Sequence, residues 1–300
     1  MIAKEQYKAL CETEGSAIPL FLQYWWMEAV CEGKRWDVLL VHDRQGNPMA
    51  AMPYLIGSKM GLRYVLQPQL TQFNGPWYST AVDSLEAEME AGRQLVEQVR
   101  GLRLVYFQQN FSPLVTNWLP FYWAGFRQTT RYTYRIDDIS DPQRVFDSFD
   151  PSRRQRQIRR TEGVLHPVEI TPERFVEFHA AYWARRGQKD ILSGPFMTRL
   201  VNASLERRQG LILGLKDAQG TLQGARFVVY DDRCAYSLLS ALGENHPNGT
   251  SARLFFEIIK RLAGSTRAFD FEGSMDPGIE QSYRLYGARQ VPYFRVSKIL

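Results

Sequence analysis

RCAYSLLSALGENHPNGTSARLFFEIIKRLAG, residues 233–264, decides how this chain is read. Its first ten residues are a β-rich run, which predicts a strand over 233–242. Gly243 to Thr250 are almost all turn formers, so a loop spans 243–250. Leu254, Phe255, Ile258, Ile259 and Leu262 then share one helical face, which predicts a helix over 251–263. A strand, a glycine-containing loop and a helix N-terminus together form an anion site. The first-turn amides have no partner within the helix, and the macrodipole is positive there. A pyrophosphate suits such a site. The plainer reading of His246 to Ser251 is a turn and a helix cap.

Working outward, residues 164–170 read as a strand and 172–186 as a helix, with Thr171 as N-cap and Pro172 in the first turn. A helix over 195–208 and strands over 211–217 and 222–230 lead into the quoted stretch. A strand over 267–272, a short helix over 277–286 and a strand over 289–298 follow it. The first half repeats the later part of this order. Strands are expected over 36–42, 48–56 and 62–67, a helix over 82–100, a strand over 102–108, a helix over 112–124 and a strand over 126–137.

The repeat is visible residue by residue. Residues 38–54, VLLVHDRQGNPMAAMPY, and 211–229, LILGLKDAQGTLQGARFVV, are both an apolar run, Asp-x-Gln-Gly and a second alternating run. Each predicts a β-hairpin. Residues 122–134, YWAGFRQTTRYTY, and 283–294, YRLYGARQVPYF, close the two halves. In both, an aromatic helix end meets a glycine, Gly125 or Gly287, and then a strand. Two matched signatures in one order argue for duplication of an α/β unit, each copy a mixed, mostly antiparallel sheet flanked by helices. The expected domains are 1–138 and 153–300, joined by an Asp-, Ser- and Pro-rich linker over 139–152 with room for one short helix.

A chain of 300 residues suits two domains. With 44% hydrophobic and 23% charged residues, general disorder is excluded. A net charge of +5 favours anionic ligands without requiring nucleic acid, and DNA is not expected. Three scattered cysteines and four histidines, without metal-ligand spacing, give no metal site and no disulfide framework. No apolar run reaches the ~18 residues of a membrane span, and MIAKEQYKAL does not read as a signal peptide, so the cytoplasm is the expected setting. A nucleophile elbow, a Walker loop and a Rossmann fingerprint are all missing.

The loop His246-Pro-Asn-Gly249-Thr-Ser251 resembles the Arg/Gln-x-x-Gly-x-Gly/Ala loop of the GNAT (Gcn5-related N-acetyltransferase) superfamily, with His at its first position and Ser at its last. AFDFEGS, 268–274, looks like that superfamily's fifth strand, and Tyr283 with Gly287 like the Tyr-x-x-x-Gly of its last helix. Trp25-Trp26, Met52-Pro-Tyr, Phe73-Asn-Gly-Pro76, the arginines after the linker and Phe269-Asp-Phe-Glu-Gly273 resemble the tandem FemAB-like, BioF-type branch. The resemblance implies an N-acyltransferase, with acetyl-CoA or another acyl-CoA held by the C-terminal copy. The main chain of Leu238, Leu239 and Ser240 would meet the pantetheine, and His246, Asn248, Gly249, Thr250 and Ser251 the pyrophosphate. Glu272 would be the general base and Tyr283 the general acid; the plainer readings are a strand-end carboxylate and a packing aromatic. Asp270, on Glu272's face if the strand is regular, and Phe73, Asn74 and Trp77 would face the acceptor; the alternative for the two carboxylates is that one of them is structural.

That acceptor is expected to be an amine, on a small molecule or on something like a peptidoglycan precursor. The first copy, whose strand-to-helix segment QPQLTQFNGPWYSTAVD is long and interrupted by proline, is expected to hold no cofactor. Arg153, Arg154, Arg156, Arg159 and Arg160 are either a solvated helix face or a clamp for a polyanion. They favour a rival reading, a Fem-like aminoacyltransferase fed by aminoacyl-tRNA, whereas the lack of a helical arm disfavours it. A non-catalytic binding protein on a decayed GNAT fold and a structural partner subunit are further rivals.

Overall fold

The computed structural model describes residues 2–31, 33–273 and 275–299. In chain order the elements are α1 (Ala3–Glu14), α2 (Tyr24–Cys31), β1 (Arg35–His42), β2 (Pro48–Lys59), β3 (Leu62–Leu66), β4 (Trp77–Tyr78), α3 (Leu85–Gly101), β5 (Tyr106–Phe111), α4 (Leu119–Trp123) and β6 (Arg127–Ile136). There follow α5 (Pro142–Ser148), a π-turn (Pro151–Gln155), α6 (Arg156–Thr161), β7 (His166–Glu169), α7 (Pro172–Arg185), α8 (Gly194–Glu206), β8 (Gly210–Lys216), β9 (Leu222–Tyr230), β10 (Cys234–Leu242), α9 (Thr250–Leu262), β11 (Ala268–Asp270), α10 (Pro277–Arg284) and β12 (Arg289–Ile299).

The chain forms two compact units, Met1–Arg131 with Pro292–Leu300, and Tyr132–Val291. In the first, the strand order is β1-β2-β3-β5-β12, with β4 on β2. In the second it is β6-β11-β10-β9-β8-β7. Each sheet is antiparallel except at one place, β3 with β5 and β10 with β11, and in both a helix, α3 or α9, makes the crossover. Each unit has its own core. Leu95, Val99, Phe107 and Phe121 centre the first, and Phe149, Phe255, Ile258 and Phe269 the second.

The duplication extends to hydrogen bonds. Asp43 Oδ1 accepts from the Gln45 and Asn47 amides, at 2.9 and 2.8 Å, and Asp217 Oδ1 from Gln219 and Thr221, at 3.0 and 2.9 Å. Gly46 and Gly220 stand at the same place in the two turns with φ of 87° and 78°, a region open to glycine. Each hairpin carries a register shift just before its turn, at Val41/His42 and at Leu215/Lys216. The closing strands are exchanged: β12, which follows the second copy's last helix, pairs with β5, and β6, which follows α4, pairs with β11. That exchange is why the division differs from the expected split after residue 138.

The expected linker is structured for a local reason. Asp141 accepts from the Gln143 and Arg144 amides and Asp150 from Arg153, each followed by a proline in the first turn. Asp-Pro, read in the sequence as loop punctuation, is here an N-cap with a first-turn proline, used twice. Val145, Phe146 and Phe149 then bury in the second core. The expected helix over 112–124 shortens to α4, because residues 112–118 form a turn and loop and Pro120 stands in the first helical turn.

Candidate functional site

The quoted stretch folds as a strand, loop and helix. β10 pairs with β11 only through Cys234, Ala235 and Tyr236, yet continues to Leu242. Beyond Tyr236 the strand keeps β9 on one side and loses its β11 neighbour on the other. The register with β9 skips Leu238, between Ser237–Val228 and Leu239–Phe227, which is a bulge at the point of parting. Main-chain groups of Leu238, Leu239 and Ser240 therefore flank the split.

Gly249 is the N-cap of α9, with φ of 108° and no side-chain cap. A Cβ there would lie 2.6 Å from the Gln157 carbonyl oxygen, so only glycine fits between α6 and α9. The loop is braced by Gln157 Nε2 donating to Asn248 Oδ1 (3.1 Å) and Thr250 Oγ1 donating to the Pro247 carbonyl (2.7 Å). Pro247 also accepts the Thr250 amide at 3.1 Å, and Gly249 that of Arg253 at 2.8 Å. His246 Nδ1 lies 3.2 Å from the Pro247 carbonyl. The neighbouring α7 and α8 are both capped by hydroxyls, Thr171 and Ser193. In the first unit, Ser84 caps α3, and β3 ends at Leu66, one residue past its pairing with β5.

Beside the split lies a titratable cluster. Asp270 is fully buried; it accepts from Thr133 Oγ1, pairs with the Arg135 guanidinium at 3.2 Å and accepts the Glu272 amide at 2.7 Å. That last bond turns the chain. Glu272 takes φ of 59°, so the strand stops at Asp270, and Asp270 and Glu272 do not share a strand face as the sequence suggested. Asp270 is closed off from any acceptor and serves the fold. Glu272 as a residue is half-buried, but its Oε1 is enclosed without a hydrogen-bond partner. Burial, and then the Asp270 carboxylate, push its carboxyl well above the ordinary 4.5. Tyr283, half-buried on α10, packs its ring 5.2 Å from Phe271 and 5.9 Å from Tyr134. Burial raises its hydroxyl pKa, Arg226 opposes that, and Glu272 adds to it. Glu272 and Tyr283 thus fall in one electrostatic neighbourhood.

Arg226, which the sequence reading passed over, completes this cluster. It stands in β9 within an apolar run, and its guanidinium reaches Ser237 on β10 and Ser251 on α9. The lone arginine among buried strand residues was the one available signal. Phe73, Asn74 and Trp77 lie elsewhere, in the first unit, each under 10% exposed. Phe73 packs on Phe21 and Tyr293, Asn74 Oδ1 accepts from Gln109, and Trp77 Nε1 donates to the Ala17 carbonyl. Ser274 of the AFDFEGS stretch lies outside the described residues. Among the described residues no group of His, Cys, Asp or Glu is arranged to hold a metal ion, and no helix is long and apolar enough to cross a membrane.

No protein-family model matches the chain, and no characterised protein matches it by sequence. Solved structures match along nearly its whole length. FemX aligns with a TM-score of 0.72 at 11% identity, over 98% of this chain and 96% of its own. L-PGS from Bacillus licheniformis aligns at 0.57 and 14%, over 97% and 90%, and a tandem GNAT protein from the clavulanic acid biosynthesis pathway at 0.55 and 12%, over 98% and 92%. The fold is therefore GNAT-like. It is similar to the fold of FemX, with a mixed α/β architecture built on mostly antiparallel sheet, as the sequence led us to expect.

Proposed function

We propose that the protein is a cytoplasmic N-acyltransferase whose second unit binds an acyl-CoA and passes the acyl group to an amine. The observation that carries this reading is the α9 N-terminus. It lacks a side-chain cap, opens behind Gly249 and adjoins the β10 edge left free beyond Tyr236. Unsatisfied first-turn amides suit a pyrophosphate, and a free strand edge suits the amides of a pantetheine arm. Leu238, Leu239 and Ser240 would meet that arm, and His246, Asn248, Gly249 and Ser251 the phosphates; Thr250 is fully buried, with its hydroxyl and amide both on the Pro247 carbonyl, and braces the loop instead. An acyl-CoA would supply an activated thioester at the parting of β10 and β11. Glu272, its carboxyl pKa raised by burial and by the Asp270 carboxylate, suits removal of the amine proton, and Tyr283 Oη holds a proton for the departing sulfur. The first unit is assigned no donor, since α3 is capped by Ser84 and β3 has no long free edge. Isothermal titration of the full chain with CoA tests the reading, with one site expected. The absence of heat at millimolar CoA would defeat it.

A second reading, transfer from aminoacyl-tRNA, is favoured by the exposed Arg153, Arg156, Arg159 and Arg160 flanking Gln157, the residue that braces the α9 loop. Charged tRNA binding with a steep salt dependence, and no CoA binding, would select it.

A further inference from the structure

Arg226 and Glu272 are polar groups of opposite character in the second unit, and each keeps an atom without a partner. Arg226 is 7% exposed. Its Nη1 donates to Ser237 Oγ at 2.5 Å, Nη2 reaches Ser251 Oγ at 3.4 Å, and the guanidinium carbon lies 3.7 Å from the Phe255 ring centroid. Nε is enclosed and has no acceptor. Among the described residues no carboxylate lies within ion-pair distance of it. Taking an unpaired cation out of water costs several kcal/mol, and an apolar side chain of the same volume would serve packing better. Burial accordingly lowers the arginine's pKa to about 10.

The Glu272 carboxyl, with its own orphaned Oε1, follows Phe271 in the chain, and Glu272 and Arg226 both act electrostatically on Tyr283. Phe255, under the guanidinium, lies 4.8 Å from Phe271, and Phe271 lies 5.2 Å from Tyr283. A cation and a carboxyl able to reach each other would pair, and these do not. Each is an unsatisfied polar group of the kind that a molecule bringing an anion for one and a proton donor for the other would complete.

We infer that a reacting molecule at this site carries a carboxylate, received by Arg226, while the amine faces Glu272. The inference rests on the acyl-transfer reading and narrows its substrate to amino acids and related amine-acids, or to acyl groups that end in an acid. The step balances: a carbon–nitrogen bond forms, the carbon–sulfur bond breaks, the amine proton passes to Glu272 and the sulfur takes the proton of Tyr283.

The test is equilibrium binding to the full chain in the presence of CoA. One arm compares a panel of α- and ω-amino acids with their decarboxylated amines. The other compares succinyl-CoA with butyryl-CoA. At least about tenfold tighter binding of the acid in either arm is expected, by the scale of charged-group recognition, and the arm that shows it tells whether acceptor or donor bears the carboxylate. Arg226→Met should abolish the preference without lowering the melting temperature, since an unpaired buried charge is removed. Arg226→Gln serves if the first variant does not fold. Equal affinities within every pair for the wild type, or a preference that survives loss of Arg226, overturns the inference. CoA binding without acid preference sinks this inference alone; acid preference without CoA binding sinks the acyl-CoA reading and leaves Arg226 as the anion site.

Discussion

Glu272 carries two local costs at once, a left-handed φ of 59° and an enclosed, unpartnered carboxyl oxygen. Residues that cost stability and face a split in the sheet are where chemistry belongs. Glu272→Gln is expected to lower kcat by about 10²–10⁴-fold with CoA affinity held, measured by steady-state kinetics and calorimetry. Its pKa is raised by folding, so its contribution to stability is whole below about 4.5 and is lost as pH climbs toward the folded value. The melting temperature of the wild type should therefore fall relative to Glu272→Gln as pH rises above about 4.5; an unchanged difference refutes the burial assigned to this carboxyl. Tyr283→Phe should reduce kcat while leaving the melting temperature nearly fixed, because the ring contacts with Phe271 and Tyr134 remain. Asp270→Ala should instead cost about 3 kcal/mol in denaturant unfolding, since it strands Arg135 beside the core. At this scale Asp270 and Glu272 look equivalent in the sequence, two residues apart, and only the turn closed by the Glu272 amide buries Asp270 in the fold and takes Glu272 off the strand.

The α9 entry is the element that distinguishes the two copies. Gly249→Ala must hold φ of 108° with a Cβ 2.6 Å from the Gln157 carbonyl. We expect a loss of about 1–3 kcal/mol and CoA binding weakened by tenfold or more, read by thermal melting and titration. CoA binding at wild-type strength in that variant would mean the donor does not use this loop. The β10-loop-α9 order and most strands were legible because hydrophobic period and turn residues agree there. α1 was not drawn, although Tyr7, Leu10 and Cys11 show the i, i+3, i+4 spacing and are buried together. α5 is the short helix the sequence left room for in the linker; its exact place was hidden because its start signal, Asp141-Pro142, serves turns and helix caps alike. The bulge at Leu238 has no sequence mark at all, since it exists only as an offset between two strands.

For the whole molecule, exchange of closing strands fixes what can be cut away. A fragment over residues 151–300 would lack α5 and the β6 residues Arg135 and Ile136 that pair with β11, so it is expected to melt without cooperativity. A piece spanning 132–291 keeps both and should retain a cooperative transition by calorimetry; if the shorter fragment melts as sharply, the exchange is not needed for stability. The halves looked sequential in the sequence because repeats report where copies begin, not which strands pair.

The exchanged strand also sets a timetable. Asn110 on β5 meets Arg295 on β12 across 185 residues of chain. At about 5–20 residues per second of synthesis, β5 waits roughly 10–40 s for that neighbour. The first unit, although translated early, stays a nascent intermediate with an open strand edge until the second has been made. Such an edge is the template that promotes mispairing between neighbouring nascent chains, so translation speed and chaperone supply bear on the yield of the N-terminal unit more than on that of the C-terminal one.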